Sequence, residues 1–224
     1  MTGKDHYIKA EEKLKAKDFQ SAITCFSQAL KENYMSSEML FKRGWAKMKI
    51  ELYNEAITDF DKAIELDPGN ASYYSERGIC WHLMEKNNLS VMDMNTAIEL
   101  EPDYGYRYSS RAYIRDKMGD TAGGVDDYLK AIELDPEDSI SMNNLGMLQE
   151  KLGYMNKAKS NYEKADILAA QNTPIKAAIE TVNAQQKQAV EISLFTKYIV
   201  LISSVFVKKG VLKEYLDFIK KMLK

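Results

Sequence analysis

Cysteine and histidine are scarce in this sequence, and their scarcity excludes several classes of protein. The chain has 224 residues but only 2 Cys, 2 His and 4 Pro. Cys25 and Cys80 lie too far apart for a disulfide framework or a cysteine-based zinc site, and His6 and His82 add little for metal chemistry. Neither sign of charge dominates, because the chain has 31 basic and 33 acidic residues and a net charge of -2. A general nucleic-acid-binding protein is normally basic overall, so we expect no nucleic-acid partner.

Long apolar runs are missing as well. Residues 1–15 lack the apolar segment of a secretory signal. In the most apolar stretch, the longest charge-free run is residues 198–207, which is about half of what a bilayer-spanning helix needs. Hydrophobic residues nevertheless make up 45% of the chain, enough to bury a sizeable core. We therefore expect a cytoplasmic protein, and the low Pro and Gly content favours an all-α one.

No catalytic motif is present. The sequence lacks a phosphate-binding loop, a nucleophile elbow, a zinc-protease helix and a C-x-x-C pair. Gly123 and Gly124 fit close helix packing better than a phosphate loop, and Asp126 and Asp127 are ordinary helix charges. We therefore expect no catalytic residues, no metal and no cofactor, and hence no enzyme.

A period of 34 residues organises most of the chain. The segments AIELDPGN, AIELEPDY and AIELDPED place Pro68, Pro102 and Pro136 at this spacing. In the same register, small residues fill three columns and large residues fill a fourth. The column of large residues is Phe26, Phe60, Met94, Tyr128 and Tyr162, and one small column is Ala10, Gly44, Gly78, Ala112 and Gly146. Small residues let two helices approach closely, so each period predicts two packed helices.

This pattern resembles the tetratricopeptide repeat (TPR) family over about three quarters of the chain. The resemblance implies an all-α, right-handed superhelix of five helix-turn-helix repeats with a helical C-terminal extension. The repeats are expected at 3–36, 37–70, 71–104, 105–138 and 139–172, within a domain 3–172, and the extension at 173–224. The first and last repeats depart from the pattern: Tyr34 and Ala170 replace the proline, and Lys17 replaces the turn glycine. Such divergence is expected at the ends of a solenoid.

Arginine and aspartate also recur together, 16 residues apart. The three pairs are Arg43 with Asp59, Arg77 with Asp93, and Arg111 with Asp127. The first and fifth repeats lack both members, and this paired presence and absence predicts an ion pair between the two helices of a repeat. A row of ligand-binding arginines is the weaker alternative, because an arginine that pairs with an aspartate of its own repeat usually has its charge and hydrogen bonds already satisfied.

The resemblance further implies a concave groove, lined by the first helix of each repeat, that receives a segment of a protein or peptide partner. The candidate groove residues are Phe41, Lys42, Trp45, Met48, Ile79, His82, Tyr106, Tyr113, Asn143, Asn144 and Met147. The apolar members could instead belong to the core, and the sequence favours neither assignment. A groove of the co-chaperone type, which clamps a C-terminal carboxylate, is not expected, since Glu11 and Glu76 stand where that clamp needs positive charge.

Residues 173–224 differ from the repeats in charge. They hold nine lysines and four acidic residues, whereas residues 1–172 hold 22 basic and 29 acidic residues. The segment 212–223 has the pattern of a cationic amphipathic helix. It could cap the solenoid, join two chains in a homodimer or lie on an anionic membrane; capping or self-association is favoured over membrane contact, because a solenoid needs its last apolar face covered. The sequence thus predicts a non-catalytic interaction scaffold or, as the alternative, a peripheral membrane-associated assembly factor held by this helix.

Overall fold

Ten α-helices follow one another in residues 1–171, the part of the chain that the computed structural model describes. They are α1 (Gly3–Lys15), α2 (Phe19–Lys31), α3 (Ser37–Lys49), α4 (Tyr53–Leu66), α5 (Ala71–Leu83), α6 (Asn87–Leu100), α7 (Gly105–Lys117), α8 (Thr121–Leu134), α9 (Ser139–Lys151) and α10 (Met155–Gln171). No strand occurs within these residues, so the expected all-α fold is confirmed. The extension predicted at 173–224, including its amphipathic helix, lies outside the described residues.

Prolines end the second helices of the three central repeats. The helices α4, α6 and α8 each stop two residues before Pro68, Pro102 and Pro136, respectively. Proline has no N–H to continue the helical hydrogen-bond pattern, and it pushes the residue before it toward extended backbone. Asp67 adopts such a conformation, with φ -147° and ψ 83°.

The turn inside each repeat contains one residue in the left-handed conformation. Gly119 (φ 89°) and Gly153 (φ 83°) occupy this position in the last two repeats. The equivalent residues in the first three repeats are Lys17 (φ 58°), Glu51 (φ 63°) and Glu85 (φ 60°). Residues with a Cβ are strained in this region by roughly 1–2 kcal/mol. The turn geometry is therefore maintained in all five repeats, although only two of them carry glycine.

The two helices of a repeat meet where a small residue faces a large one. A Cβ atom placed on Gly44 of α3 would lie 2.8 Å from Cε1 of Phe60 in α4. On Gly146 of α9 it would lie 2.6 Å from Cε1 of Tyr162 in α10. Phe60 is fully buried. The pairing of the small and large columns is thus a direct steric fit.

The first helices of the repeats, α1, α3, α5, α7 and α9, lie side by side in one layer, and α3 contacts α5 directly. Further side-chain contacts join Lys42 of α3 to Tyr7 of α1, His82 of α5 to Tyr113 of α7, and Asp116 of α7 to Lys151 of α9. The second helices pack against the first helix of their own repeat and of the next one. Residues Met1–Leu168 form one compact unit.

Candidate partner-binding groove

Each of the three repeated arginines joins two successive repeats. Arg77 donates from Nε and Nη2 to Asp93 at 2.8 and 2.6 Å, and from Nη1 to Asp61 of the preceding repeat at 2.7 Å. The hydrogen bonds to Asp93 and then Asp61 raise the pKa of the Arg77 guanidinium above its ordinary value. Because all these donors are engaged, the arginine is not available to a ligand.

Arg43 and Arg111 make the same contacts. Their bidentate partners are Asp59 and Asp127, at 2.6–2.9 Å, and their partners in the preceding repeat are Ser27 at 3.3 Å and Asn95 at 2.7 Å. The partners in the preceding repeat were not anticipated from the sequence. The sequence does contain a pattern that indicates them, since the polar residues Ser27, Asp61 and Asn95 each precede one of the arginines by 16 positions.

Two of the aspartates hold a second cation as well. Asp59, which is 2% exposed, accepts from Lys47 Nζ at 2.9 Å. Asp127 accepts from Arg115 at 3.0 Å. In the fifth repeat, a hydrogen bond between two amides replaces the ion pair: Asn161 donates to Gln149 Oε1 at 2.8 Å. These contacts therefore join the helices of the scaffold to one another.

Lys42 lies on that layer but is already neutralised. Its ammonium donates to the hydroxyl of Tyr7 at 3.1 Å and lies 3.0 Å from Glu11 Oε2 and 2.7 Å from Glu38 Oε1. Burial alone would lower the pKa of Lys42, but the hydrogen bonds that its ammonium donates to Glu38, Tyr7 and Glu11 raise the pKa above its ordinary value. Lys42 therefore ties α1 to α3.

Phe41 and Trp45 are half-buried and pack against the core. The ring of Phe41 lies 5.1 Å from that of Tyr73, measured between centroids. The ring of Trp45 makes an edge contact with Phe19 at 5.7 Å, and Lys49 Nζ lies 4.8 Å from its centroid. Both aromatic side chains are thus only partly available at the surface.

Met48 is buried, so its assignment to the groove is wrong. Its side chain is 6% exposed and packs with Ala56, Ile57 and Phe60 between α3 and α4. Helical spacing placed Met48 near the groove-facing stripe, but the facing helix covers it. Ser75 of α5 is buried as well, and its hydroxyl accepts a hydrogen bond from Arg107 Nε at 3.0 Å.

An open cavity of about 350 Å³ lies on the layer of first helices, between α5, α7 and α9. Its lining includes five residues singled out from the sequence, namely Ile79, His82, Tyr106, Tyr113 and Asn144, together with Ile140 and Ser110. The other two predicted residues of this region, Asn143 and Met147, are exposed on α9 and do not line the cavity. The volume is that of an ordinary small-ligand or side-chain pocket.

The cavity combines a fixed interior with an exposed apolar rim. His82 Nδ1 lies 2.7 Å from Asn87 Oδ1, and its ring makes an edge contact with Tyr113 at 5.5 Å. Burial raises the pKa of the Tyr128 hydroxyl to about 12, although a hydrogen bond with Asn144 opposes the shift. On the rim, Tyr113 is 47% exposed and Ile140 is 72% exposed. An apolar side chain could therefore enter the cavity without displacing core residues.

Glu76 lies one helical turn before Ile79 on α5 and makes no hydrogen bond or ion pair with any residue of 1–171. Its Oε2 atom is buried without a hydrogen bond. Burial raises the pKa of its carboxyl group, against a smaller opposite effect of Lys49. Burial, and then Glu76 itself, raises the pKa of the nearby Cys80 thiol to about 12. The sequence identified Glu76 as a groove position but gave no indication that it would be unpaired.

The described residues contain neither a metal-binding cluster nor a helix that could span a membrane. In residues 1–171, no cluster of three or more His, Cys, Asp or Glu side chains has the arrangement to hold a metal ion. None of the helices described there combines the length and apolar character needed to cross a bilayer.

A layered helical repeat with a partly apolar groove defines a class of protein–protein interaction scaffolds. Three family models, each described as tetratricopeptide repeat, match residues 9–82, 107–138 and 127–166, and together they cover more than half of the chain. The chain is a tetratricopeptide repeat protein. Proteins of this family are typically non-catalytic.

Solved structures share this fold. A crystal structure of MamA is 25% identical with a TM-score of 0.68, covering 72% of this chain and 95% of that one. MamA from Desulfovibrio magneticus RS-1 is 19% identical with a TM-score of 0.71, covering 76% and 96%. YrrB, described as a TPR protein with an unusual peptide-binding site, is 17% identical with a TM-score of 0.61, covering 75% and 86%. No curated protein matches the sequence.

Proposed function

We propose that this chain is a non-catalytic scaffold that holds a segment of a partner protein in the groove formed by α3, α5, α7 and α9. The observation that carries the proposal is the cavity of about 350 Å³ on the layer of first helices. Its position corresponds to five of the residues that the sequence pattern assigned to partner binding, Ile79, His82, Tyr106, Tyr113 and Asn144. The description of YrrB as a peptide-binding TPR protein supports the same use of the fold.

Three exposed apolar side chains line this cavity, and Met147 is exposed beside it on α9. Tyr106 is 54% exposed, Tyr113 47%, Ile140 72% and Met147 55%. Clustered exposed apolar residues commonly mark interaction sites, whereas isolated ones need no explanation. Aromatic residues at the centre of an interface commonly contribute about 2 kcal/mol or more on truncation. Tyr113 is the best-placed anchor, since it stands between the α5 and α9 walls of the cavity.

A matched pair of tyrosine variants tests the proposal. Tyr113→Ala should reduce capture of the native partner from lysate of the source cell by roughly 30-fold, the factor that corresponds to about 2 kcal/mol. Tyr154→Ala is the control, because Tyr154 is 54% exposed and lies on the side of α8 and α10. Full-length baits should be compared by quantitative mass spectrometry, with melting curves to verify folding. The proposal fails if Tyr113→Ala and Tyr154→Ala lose the proteins captured by the wild type to the same extent. It also fails if neither variant loses them.

The alternative function rests on the segment 173–224. Whether it caps the solenoid, forms a homodimer or contacts a membrane concerns residues outside the described part of the chain. Liposome flotation of the full-length protein and of a variant that lacks 190–224 separates the two functions. Lipid binding that is lost with the segment, at unchanged stability and oligomeric state, would favour the peripheral membrane factor.

A further inference from the structure

We propose that the groove selects a partner segment that carries a lysine or arginine close to an apolar residue, and that Glu76 contacts the positive charge. The inference rests on the proposed function, because it names the chemistry of the segment that the groove holds. Glu76 would act as a specificity-determining residue, and the cavity between α5, α7 and α9 would receive the apolar side chain.

The first argument is that Glu76 has no partner while comparable acids do. In residues 1–171, Glu11 pairs with Lys42 through Oε2 at 3.0 Å, although its Oε1 atom is also buried without a hydrogen bond, and Asp116 pairs with Lys151 at 2.7 Å. Glu76 makes neither a hydrogen bond nor an ion pair there, and its Oε2 atom is buried. A desolvated carboxylate without hydrogen bonds destabilises the protein that contains it. A cation delivered by a partner would remove that penalty.

The second argument is the position of Glu76 relative to the cavity. Ile79 follows Glu76 by one turn on the same face of α5, and it lines the cavity. Neighbouring helix axes lie roughly 8–10 Å apart, a distance that three residues of extended chain span at about 3.3 Å each. A basic residue at Glu76 and an apolar residue in the cavity would therefore be two to four positions apart in the partner.

The third argument is the charge of the surrounding groove. Lys42 is neutralised by Glu11 and Glu38, and Lys49 Nζ lies over the ring of Trp45. Asp138 also lines the cavity, but its carboxylate caps α9 by accepting hydrogen bonds from the N–H groups of Ile140 and Ser141. Among these charged groups of the described residues, Glu76 is the one without a direct partner, and a cationic side chain is its electrostatic complement.

The unpaired carboxylate of Glu76 also predicts that a substitution which stabilises the free protein weakens binding of the partner. Burial raises the pKa of Glu76 above its ordinary value, so the folded state holds this proton more tightly than the unfolded state. Stability is therefore lost as the pH rises through the range between the unfolded and folded pKa values. Lys49 and Cys80 are the titratable groups that interact with Glu76. Glu76→Gln should raise the melting temperature at pH 7 but not at pH 4, while it weakens binding.

Selection from a random library of 12-residue peptides on phage tests the proposal with the full-length chain. Wild type, Glu76→Gln and the control Glu99→Gln should be used in parallel; Glu99 is exposed on the second-helix layer and gives the same change in net charge. Wild type and Glu99→Gln should enrich peptides with Lys or Arg two to four positions from an apolar residue. Glu76→Gln should lose this enrichment. A selected peptide with its basic residue replaced by norleucine should bind at least about 10-fold more weakly to wild type and unchanged to Glu76→Gln.

The outcomes separate this inference from the proposed function. Two results would overturn the role of Glu76 and leave groove binding intact. In the first, the selected peptides require Tyr113 but share no basic residue. In the second, the peptides selected on Glu76→Gln keep the basic residue. If no enriched peptide depends on Tyr113, groove binding itself is refuted, and the role of Glu76 with it.

Discussion

Removal of the Asp59 carboxylate is the sharpest test of the ion-pair network. Asp59 is 2% exposed and accepts hydrogen bonds from Arg43 at 2.6 and 2.9 Å and from Lys47 at 2.9 Å. Asp59→Ala would leave two cations, each only 8% exposed, facing a cavity without counter-charge. The remaining partners are a hydroxyl, Ser27 at 3.3 Å from Arg43, and the exposed Glu55 at 3.5 Å from Lys47. Breaking such a buried pair costs about 3–5 kcal/mol.

That cost corresponds to a measurable change in melting temperature. Each kcal/mol shifts the midpoint by about 2–4 °C in a chain of this size, so Asp59→Ala should melt about 6–20 °C lower, followed by circular dichroism at 222 nm. Asp61→Ala is the matched control, because its side chain is 47% exposed and Arg77 keeps its bidentate partner Asp93. An exposed pair contributes about 1 kcal/mol or less, so this control should fall by less than about 4 °C. Equal shifts for the two variants would refute the argument that burial makes these pairs important.

Three further predictions concern packing, turn strain and the C-terminal segment. Gly44→Ala should destabilise by about 1–3 kcal/mol in urea unfolding, since its Cβ would lie 2.8 Å from the ring of Phe60. Gly78→Ala should cost less, because its Cβ would come no closer than 3.2 Å to Met94 Cε and 3.3 Å to Asp93 Cβ and Ser90 O. Glu51→Gly should stabilise by up to about 1 kcal/mol in the same assay, because glycine relieves the strain at φ 63°; a loss of stability would contradict this. Deletion of residues 190–224 should lower the melting temperature or the solubility, or convert a dimer to a monomer. The oligomeric state is measured by light scattering without lipid. No change in melting temperature, solubility or oligomeric state would contradict capping and self-association.

The periodic features of the fold were predictable from the sequence, because they depend on residues within one repeat. The prolines set the helix ends, and the small and large columns set the packing of two helices. The link from each arginine to the preceding repeat was missed, since Ser27, Asp61 and Asn95 differ in residue type and align only after the arginine column is chosen. Non-glycine residues at the turn position, such as Glu51, were missed for a different reason: tertiary packing imposes a conformation that their own preference disfavours.

The groove was less predictable than the fold. Helical periodicity identifies which face a side chain occupies, but the neighbouring helix decides whether that face is covered. Met48 was therefore placed in the groove although α4 covers it, whereas Tyr113 is exposed and lines the cavity, and its role in binding stays a prediction. The lack of a partner for Glu76 depends on where Lys42 and Lys49 direct their charges, and a sequence pattern does not contain that information.

In the proposed groove, one column of the first helices carries a different residue type in each of four successive repeats. This column holds Lys42, Glu76, Ser110 and Asn144 in successive repeats. Within the described residues, Lys42 is neutralised by its neighbours, Glu76 is unpaired, and Ser110 and Asn144 line the apolar cavity. Glu76 therefore lies at one end of the cavity, on the α5 side, and Asn144 lies at the other, on α9. If the proposed groove binds a segment with one basic and one apolar side chain, that segment satisfies both contacts in only one direction, so the same arrangement would also fix the polarity of the bound partner.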